Sequence, residues 1–309
     1  MQRSSGGDPA IASNEYRESR REGGIARLGL SAREKSQVTP TRRHFLGAFA
    51  AATMKVAPAS GRYLRKIGLQ LYTVRDLLST DFEGTLREIA RLGYQEVEFA
   101  GVLGPNLKQT RNLLGQLDLS APSLHIDYNS LRKHTDASFE TATALAAKFV
   151  VCPWLDPSER QTADDWKRVC ENLNSIGELA THSGLTFAYH NHDFEFSNLP
   201  GGVRPFDLLL AHTNDRFVKF ELDVYWAKKG NVDAVAYLKA HKSRFRLVHL
   251  KDMAMDGADT EIGNGTIDFG EIIVASIAGG VRHFFVEQDY SSDPMQSIKA
   301  SISYLRHYR

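Results

Sequence analysis

The feature that most constrains the fold of this 309-residue chain is a regular alternation of short apolar runs with amphipathic stretches, from Lys66 to the C-terminus. Short apolar runs are typical of buried strands, and the stretches between them have the apolar spacing of surface helices. Eight such strand–helix units follow one another. The strands are predicted at residues 67–71, 96–99, 123–126, 149–152, 186–189, 218–222, 246–249 and 283–287.

The helices between these strands decide how the sheet closes. The first is predicted to open at Ser79-Thr80-Asp81 and to stop at Gly93. The others are predicted at 106–117, 139–147, 163–183, 206–212, 232–241, 269–277 and 294–307. Strict alternation implies a parallel sheet, and eight units in about 245 residues favour a closed barrel over an open doubly wound sheet. No Gly-x-Gly-x-x-Gly follows the first strand, so a dinucleotide-binding fold lacks its fingerprint. We therefore predict that residues 63–309 form one α/β domain, a (β/α)8 TIM barrel.

Charge is unevenly distributed along the chain, although its formal sum is only +1. Residues 1–62 contain eleven Lys and Arg against five Asp and Glu, whereas residues 63–309 contain 27 against 32. The acidic body argues against a nucleic-acid partner, because nucleic-acid-binding proteins usually present a basic face. Two cysteines, Cys152 and Cys170, exclude a disulfide framework and a zinc site of four thiolates.

Two segments precede the predicted barrel. Residues 1–40 lack a sustained apolar period and are interpreted as disordered, or as an extension from a misassigned start codon. Residues 41–62 contain the pair Arg42-Arg43, an Ala-rich apolar run and the small-residue site at 57–59, in the order of a twin-arginine signal peptide. The alternative is an amphipathic N-terminal helix. We expect a periplasmic or secreted protein, or a cytoplasmic one if the signal interpretation fails. The apolar run is shorter than the about 20 residues that a membrane span needs.

Metal-capable side chains gather at the predicted strand ends, where the catalytic groups of a (β/α)8 barrel lie. The polar residues at these ends are Glu98, His125, Asp127, His190, His192, Asp193, Glu195, Asp223, His249, Lys251, Asp252, Glu287, Gln288 and Asp289. Imidazole nitrogens and carboxylate oxygens together suit divalent first-row ions, and a buried ring of acids would repel itself without a cation. We predict one divalent metal ion, with Mn²⁺, Zn²⁺, Co²⁺ and Mg²⁺ as candidates.

Six segments carry a family resemblance. They are residues 69–75, 93–99, 189–196, 222–226, 249–252 and 265–269. Together and in this order they resemble the sugar phosphate isomerase/epimerase family, whose members have the xylose isomerase-like TIM barrel of the AP endonuclease family 2 superfamily. The resemblance covers residues 66–309, and it is specific for the superfamily and not for a substrate.

The resemblance implies a set of metal ligands. Members of the superfamily bind one divalent metal through Glu on strand five, Asp on strand six, His on strand seven and Glu on strand eight. Asp223, His249 and Glu287 match in type and position. Strand five departs, because His190-Asn191-His192 stands where many relatives have Glu-Asn-His. His190 is therefore expected to be the fourth ligand, or to leave that position to water.

The resemblance also implies a reaction, the isomerisation or epimerisation of a sugar or cyclitol. A proton next to a carbonyl is removed by a carboxylate of strand five or eight, and the metal stabilises the enediolate. Of that carboxylate pair only Glu287 remains here, so His190 or His192 becomes the candidate second acid/base. Lys251 is expected to neutralise the enediolate or bind a phosphate, or else to pair with a barrel acid. We expect catalytic roles for Glu287, His192 and Lys251, with a keto-sugar or cyclitol dehydratase or lyase as the alternative.

Further residues are predicted to contact the substrate, each with a structural alternative. His125 is expected to bind a substrate hydroxyl, or to be structural. Trp154 and Trp226 are expected to form a wall against a sugar ring, or to pack at the barrel rim. Glu98 is expected to serve the site or to pair with Lys251. Cys152 is interpreted as a packing residue and not as a nucleophile.

Two other functions compete with the enzyme interpretation. The type IV apurinic endonuclease shares the barrel and resembles residues 249–252 and 263–267, but it needs three zinc ions, and Trp226 stands where its second His would follow Asp223. A non-catalytic sugar-binding barrel predicts a degenerate ligand set. The expected partner is a small sugar, keto-sugar or cyclitol, without nucleic acid or a membrane span, and the sequence allows a homo-oligomer.

Overall fold

Eight parallel strands form a closed barrel in the computed structural model, which describes residues 63–308. In chain order the strands are β1 (Gly68–Gln70), β2 (Glu96–Ala100), β3 (Ser120–His125), β4 (Phe149–Cys152), β5 (Thr186–His190), β6 (Val218–Asp223), β7 (Phe245–Leu250) and β8 (His283–Val286). Each strand pairs with its neighbours in the chain, and β1 pairs with β8 to close the sheet. The predicted (β/α)8 TIM barrel is confirmed. The predictions for residues 1–40 and 41–62 lie outside the described residues.

Helices connect the strands around the outside of the barrel. They are α1 (Arg75–Thr80), α2 (Phe82–Leu92), α3 (Leu107–Gln116), α4 (Tyr128–Lys133), α5 (Thr135–Ala144), α6 (Ala163–His182), α7 (Pro205–His212), α8 (Val224–Lys229), α9 (Ala234–Ala240), α10 (Phe269–Gly279) and α11 (Pro294–Leu305). Over residues 63–308, none of these helices combines the length and the apolar character that crossing a membrane requires.

The helix boundaries follow local chemistry. Asp81 caps α2, since its Oδ1 accepts the N–H of Gly84 at 2.9 Å, and Gly93 ends the helix with a φ of 95°. A side chain would disfavour that left-handed conformation. Thr162 and Asp165 form a reciprocal capping box at the start of α6. These stop and start signals are the ones from which helix positions are predicted.

Several short elements were not predicted. The helices α1, α4 and α8 have six residues each, and a two-stranded hairpin pairs Asp252–Met253 with Asp259–Thr260. Elements of this length are too short for an apolar period to be visible in the sequence. Strand β3 begins at Ser120, three residues before the predicted start. All of these differences lie in connections or at strand ends, so they leave the barrel order unchanged.

The barrel interior changes from apolar to polar along the strands. An apolar plug fills the lumen and consists of Val151, Ala188, Leu247 and Phe285. Gly68 on β1 makes room for this plug, because a Cβ atom there would lie 2.4 Å from Phe285 Cδ1. Side chains two positions further along a strand share its inward face. On β5, β7 and the end of β8 these are His190, His249 and Glu287, so the polar layer begins directly after the plug.

A glycine allows α6 to pack closely against the strand that carries two site residues. A Cβ atom on Gly177 would lie 2.5 Å from the carbonyl oxygen of Phe217, which immediately precedes β6. That backbone atom cannot move away without shifting the strand. Gly115, in α3, offers a matched comparison, because a Cβ atom added there would have no heavy atom within 4 Å.

The two helical glycines should respond in opposite directions to alanine. We expect Gly115→Ala to raise the free energy of unfolding by up to about 1 kcal/mol, because alanine favours helix. Gly177→Ala should lower it by about 1–3 kcal/mol, because the added methyl overpacks the interface with β6. Urea denaturation followed by circular dichroism measures both. Stabilisation by Gly177→Ala would contradict the packing described.

Candidate metal centre

Four side chains from neighbouring strands converge at the mouth of the barrel. His190 ends β5, Asp223 ends β6, His249 lies in β7 and Glu287 directly follows β8. One ligand atom from each lies within 4.8 Å of the others, and all four residues are buried. The distance between His249 Nδ1 and Glu287 Oε2 is 3.0 Å. These four residues, called the outer tetrad below, are those that the family resemblance implies as metal ligands.

The backbone around Asp223 presents one of its oxygens to the tetrad. Asp223 Oδ1 accepts the N–H of Trp226 at 2.9 Å and thereby caps α8. Asn191 fixes the same strand end, since its Oδ1 accepts the N–H of Asp223 at 3.1 Å and its Nδ2 donates to the Asp223 carbonyl at 3.3 Å. Asp223 Oδ2 is buried without a hydrogen-bond partner among residues 63–308. A cation is the chemical group that two imidazoles, two carboxylates and such an unpartnered oxygen fit.

The electrostatics of the tetrad are those of crowded buried charge. Burial raises the pKa of Asp223 to about 8, and the negative charge of Glu287 acts in the same direction. Burial also opposes the ionised form of Glu287, but the positive charges of Lys251 and His249 outweigh it and lower the pKa of Glu287 well below its usual value. Burial lowers the pKa of His190 to about 4, so this imidazole is neutral near pH 7 and can act as a ligand.

A second buried group, the inner group, lies beneath the tetrad and consists of Gln70, Glu98, His125 and Glu221. Glu98 Oε2 accepts from Gln70 Nε2 at 2.7 Å and lies 2.6 Å from His249 Nε2. Glu221 Oε2 lies 2.8 Å from His125 Nε2 and 3.2 Å from His249 Nε2. Although burial opposes it, the charges of Glu98 and Glu221 raise the pKa of His125 to about 10. The His125 ring thus contacts two carboxylates of the protein. Its predicted contact with a substrate hydroxyl stays a prediction.

Lys251 is fully buried beside the tetrad. Its Nζ forms an ion pair with Asp289 at 2.5 Å and lies 3.7 Å from Glu287 Oε2. Despite burial, the charges of Asp289 and Glu287 raise the pKa of Lys251 well above its usual value. The ring of Trp226 lies 5.0 Å from Nζ. Of the two alternatives in the sequence, pairing with a barrel acid is seen, but the acid is Asp289 and not Glu98.

His192 lies beside His190, with their ring centres 5.2 Å apart. The His192 ring stacks on Phe194 at 5.5 Å and tilts against Trp226 at 5.1 Å. Burial lowers the pKa of His192 well below its usual value, and Nδ1 has no hydrogen-bond partner among the described residues. Glu195 holds the loop, because its Oε2 accepts the N–H of His192 at 2.8 Å. The ring is therefore neutral, and burial disfavours a lasting positive charge on it.

The two predicted tryptophans differ in setting. Trp226 is buried between His192 and Lys251, at the edge of the tetrad. Trp154 follows β4 and is 36% exposed, with the guanidinium of Arg160 5.9 Å from its ring centre. Trp226 can therefore face a ligand bound at the tetrad, whereas Trp154 lies at the rim. Their predicted substrate contacts stay predictions.

The segment 263–267, which resembles an endonuclease motif, is held by one carboxylate. Asp252 Oδ2 accepts the N–H groups of Gly263 at 2.9 Å and Gly265 at 3.0 Å, and its Oδ1 accepts that of Ile267 at 3.1 Å. A Cβ atom on Gly265 would lie 2.3 Å from Asp252 Oδ1, which requires glycine there. The geometry explains these motif residues by loop structure, without a metal.

Sequence reasoning missed two members of the inner group, Gln70 and Glu221. Glu221 precedes Asp223 by two positions, so both side chains point to the same face of β6. An acidic residue at the second position before Asp223, on the same face of a predicted strand, was the signal that could have identified it. Gln70, at the end of β1, carries no comparable signal, because a single glutamine at a strand end is common.

A family profile described as the xylose isomerase-like TIM barrel matches residues 86–308. The chain belongs to this family. One curated relative is the inosose dehydratase of Lactiplantibacillus plantarum, which is 27% identical over 172 aligned residues. The alignment covers 48% of this chain and 55% of the relative. The chain spans about half the length of the first curated relatives that it matches.

Two solved structures share the barrel. A sugar phosphate isomerase/epimerase from Parabacteroides distasonis ATCC 8503 is 26% identical, with a TM-score of 0.69, over 83% of this chain and 98% of that one. The IOLI protein, solved with a bound zinc atom, has a TM-score of 0.64 and 16% identity, over 79% of this chain and 98% of its own. The second similarity is one of fold alone.

The two cysteines should be inert in the folded protein. Both are buried in the core, and burial raises the pKa of the Cys152 thiol and raises that of Cys170 to about 12. A thiol reagent such as DTNB, which needs thiolate and access, should therefore label neither residue at pH 8 within minutes. In guanidinium chloride both should react. Rapid labelling of the native protein would contradict the packing interpretation of Cys152.

Proposed function

We propose that this chain is a metal-dependent enzyme that removes a proton next to the carbonyl of a keto-sugar or keto-cyclitol. The observation that carries the proposal is the outer tetrad, in which two imidazoles and two carboxylates converge around the unpartnered Asp223 Oδ2. A sugar-binding barrel without catalysis does not need buried charges of this density, since burying them is unfavourable. The similarity to inosose dehydratases and to a sugar phosphate isomerase/epimerase supports the substrate class.

The tetrad would hold one divalent ion through His190, Asp223, His249 and Glu287. Two nitrogen and two oxygen donors suit Zn²⁺, Mn²⁺ or Co²⁺ better than Mg²⁺, which prefers oxygen alone. The zinc atom in the IOLI protein is consistent with this choice. When bound, such an ion polarises a carbonyl and stabilises negative charge that develops on its oxygen.

Glu287 is the proposed base. Lys251 keeps its carboxylate ionised, and an ionised carboxylate is the form that accepts a proton. Lys251 lies 3.7 Å from Glu287 Oε2 and brings a fixed positive charge next to the place where negative charge develops on the substrate. His192 is the proposed second group, because its ring lies at the same mouth beside His190, and a neutral imidazole can take up a proton at one nitrogen as it gives up the proton of the other.

What happens to the enediolate after proton removal distinguishes two reactions. If His192 passes a proton from solvent to a different carbon or to the opposite face, and Glu287 releases to solvent the proton that it removed, the result is isomerisation or epimerisation. Loss of a hydroxyl from the next carbon gives dehydration, which is the second candidate and is favoured by the similarity to inosose dehydratases. His190 also favours it, because a dehydratase needs one base and one acid and not a pair of carboxylates.

Export is a further proposal, and it rests on the sequence of residues 41–62 alone. A protein that leaves the cytoplasm in a folded state could carry its metal with it. Free sugars, glycosides or cyclitols would then be the expected substrates.

Binding of a divalent ion should stabilise the wild-type protein but not an Asp223→Asn variant. At a free concentration 100 times the Kd, a ligand stabilises the folded state by about 2.7 kcal/mol, which corresponds to roughly 5–10 °C in Tm for a domain of this size. Differential scanning fluorimetry with Zn²⁺, Mn²⁺ and Co²⁺ after EDTA treatment measures the shift. An equal shift in the Asn variant would exclude Asp223 as a ligand.

Replacement of Glu287 by glutamine should abolish proton removal. In D₂O the wild-type protein should exchange the proton next to the carbonyl of an accepted inosose or keto-sugar, and NMR should show either an isomer or an unsaturated, dehydrated product. Glu287→Gln should slow the exchange by about 10²–10⁴-fold, as expected for loss of a general base.

Because Glu287 is also a proposed ligand, the metal content of the variant is measured by elemental analysis in the same sample. Unchanged exchange at full metal occupancy would refute the base assignment. Tight binding of the compounds without exchange in the wild type would indicate a non-catalytic binding barrel.

A further inference from the structure

Two sets of side chains in this barrel could hold a metal, and they overlap. One is the outer tetrad, and the other consists of His125, His190, Glu221 and His249. His190 and His249 belong to both. If both sets were occupied together, each of these rings would have to bridge two ions through both nitrogens, which a neutral imidazole with one N–H cannot do. The two sets are therefore alternatives, or one serves the other.

The distances around His249 separate these two possibilities. His249 Nε2 lies 2.6 Å from Glu98 Oε2, slightly closer than the about 2.7–2.9 Å of a charge-assisted N–H···O hydrogen bond. His249 Nδ1, on the opposite edge of the ring, lies 3.0 Å from Glu287 Oε2. With an ion in the tetrad, a proton on Nε2 would satisfy Glu98, and the Nδ1 lone pair would face the other ligand atoms. The tautomer of this ligand is thus set by a carboxylate outside the tetrad.

Glu221 lies against His190 in a looser contact. His190 Nδ1 lies 3.3 Å from Glu221 Oε2, without the alignment of a hydrogen bond. That contact occupies the Nδ1 edge, so Nε2 is left for the tetrad. The same oxygen lies 3.2 Å from His249 Nε2, so a single carboxylate touches both ligand histidines from below.

The two glutamates are themselves held in place by neutral or cationic neighbours. Gln70 Nε2 donates to Glu98 Oε2 at 2.7 Å, and His125 Nε2 lies 2.8 Å from Glu221 Oε2. Both glutamates are fully buried. One oxygen of each glutamate is held in this way, whereas Glu98 Oε1 and Glu221 Oε1 have no hydrogen-bond partner among residues 63–308. The contacts made through Oε2 restrain the two histidine rings at the tetrad.

We propose that Glu98 and Glu221 are positioning residues of the metal centre, which fix the tautomer and orientation of His249 and His190, and that the inner group does not bind a second ion. The inference rests on the proposed metal centre of the outer tetrad. Removal of such supporting carboxylates typically weakens metal binding about 10–100-fold. The proposed positioning role differs from the substrate contact that the sequence predicts for Glu98 and His125.

The test compares Glu98→Gln and Glu221→Gln with a matched control on the same strand. Glu96 precedes Glu98 by two positions, is also buried, and likewise bonds a histidine, with His283 Nδ1 2.8 Å from its Oε2. It lies at the other end of β2, away from the tetrad. Glu96→Gln therefore reproduces the loss of a buried, histidine-bonded carboxylate without touching the metal ligands.

Three measurements are made on each full-length protein. The Kd for Zn²⁺ is obtained by competition with a chromophoric chelator, the stoichiometry by elemental analysis, and the ligand field by the visible spectrum of the Co²⁺ form. Thermal melts of the metal-free proteins identify any variant that fails to fold. Such a variant is replaced by the aspartate variant at the same position, Glu98→Asp or Glu221→Asp, which keeps the negative charge.

We expect one ion per chain in the wild type and in all variants. The Kd should rise about 10–100-fold in Glu98→Gln and Glu221→Gln and less than about threefold in Glu96→Gln. The Co²⁺ spectrum should keep its overall form, because the ligands are unchanged. Two ions per chain, a Kd within about threefold of wild type in both site variants, or an equal loss in Glu96→Gln would overturn the proposal.

These readouts need no substrate, so they separate the two proposals. Wild-type protein that binds one ion and loses affinity in the Glu98 and Glu221 variants supports the positioning role even if no sugar or cyclitol is turned over. Turnover by the wild type together with an unchanged Kd in both variants would refute the positioning role alone. A wild type that binds no ion would refute both.

Discussion

The contact between Glu98 and His249 crosses the barrel lumen and joins β2 to β7, two strands that are not neighbours in the sheet. Both groups are fully buried, so neither can exchange its partner for water. Loss of one partner would leave the other uncompensated in a medium of low dielectric constant, which is strongly unfavourable. The polar layer of the lumen is built around this pair, with Gln70 and His125 on one side and the outer tetrad on the other.

The outer tetrad lies next to that layer and adds further buried negative charge to it. Glu98 and Glu221 direct two imidazoles upward, and Asp223 and Glu287 bring two more carboxylates to the same mouth. Lys251 offsets part of this negative charge, but its shortest ion pair is with Asp289. Burial raises the pKa of Asp223 to about 8, which shows that the protein alone does not favour its ionised form. A divalent cation would supply the remaining positive charge in the place where the four ligand atoms meet.

Local patterns in the sequence predicted the barrel and the polar strand ends, and the resemblance to the family implied which four of those residues would be metal ligands. Each strand is a short apolar run, and each tetrad residue sits at the end of one, so closure of the sheet brings them together without any detail of packing. The partners of Lys251 and Glu98 could not be predicted in this way. Several acids follow neighbouring strands, and which of them reaches Lys251 depends on side-chain direction. The contact of Glu98 with His249 depends on the width of the lumen, across a separation of 151 residues.

The apolar plug of Val151, Ala188, Leu247 and Phe285 closes the lumen directly beneath the polar layer. A small molecule at the tetrad can therefore exchange with solvent only through the mouth formed by the strand ends and their loops. Reactant and product must use the same passage in opposite directions, and each excludes the other while it is bound. In the proposed reaction, turnover would depend on the rate at which the product departs as well as on the chemical step, and accumulated product would compete directly with fresh substrate.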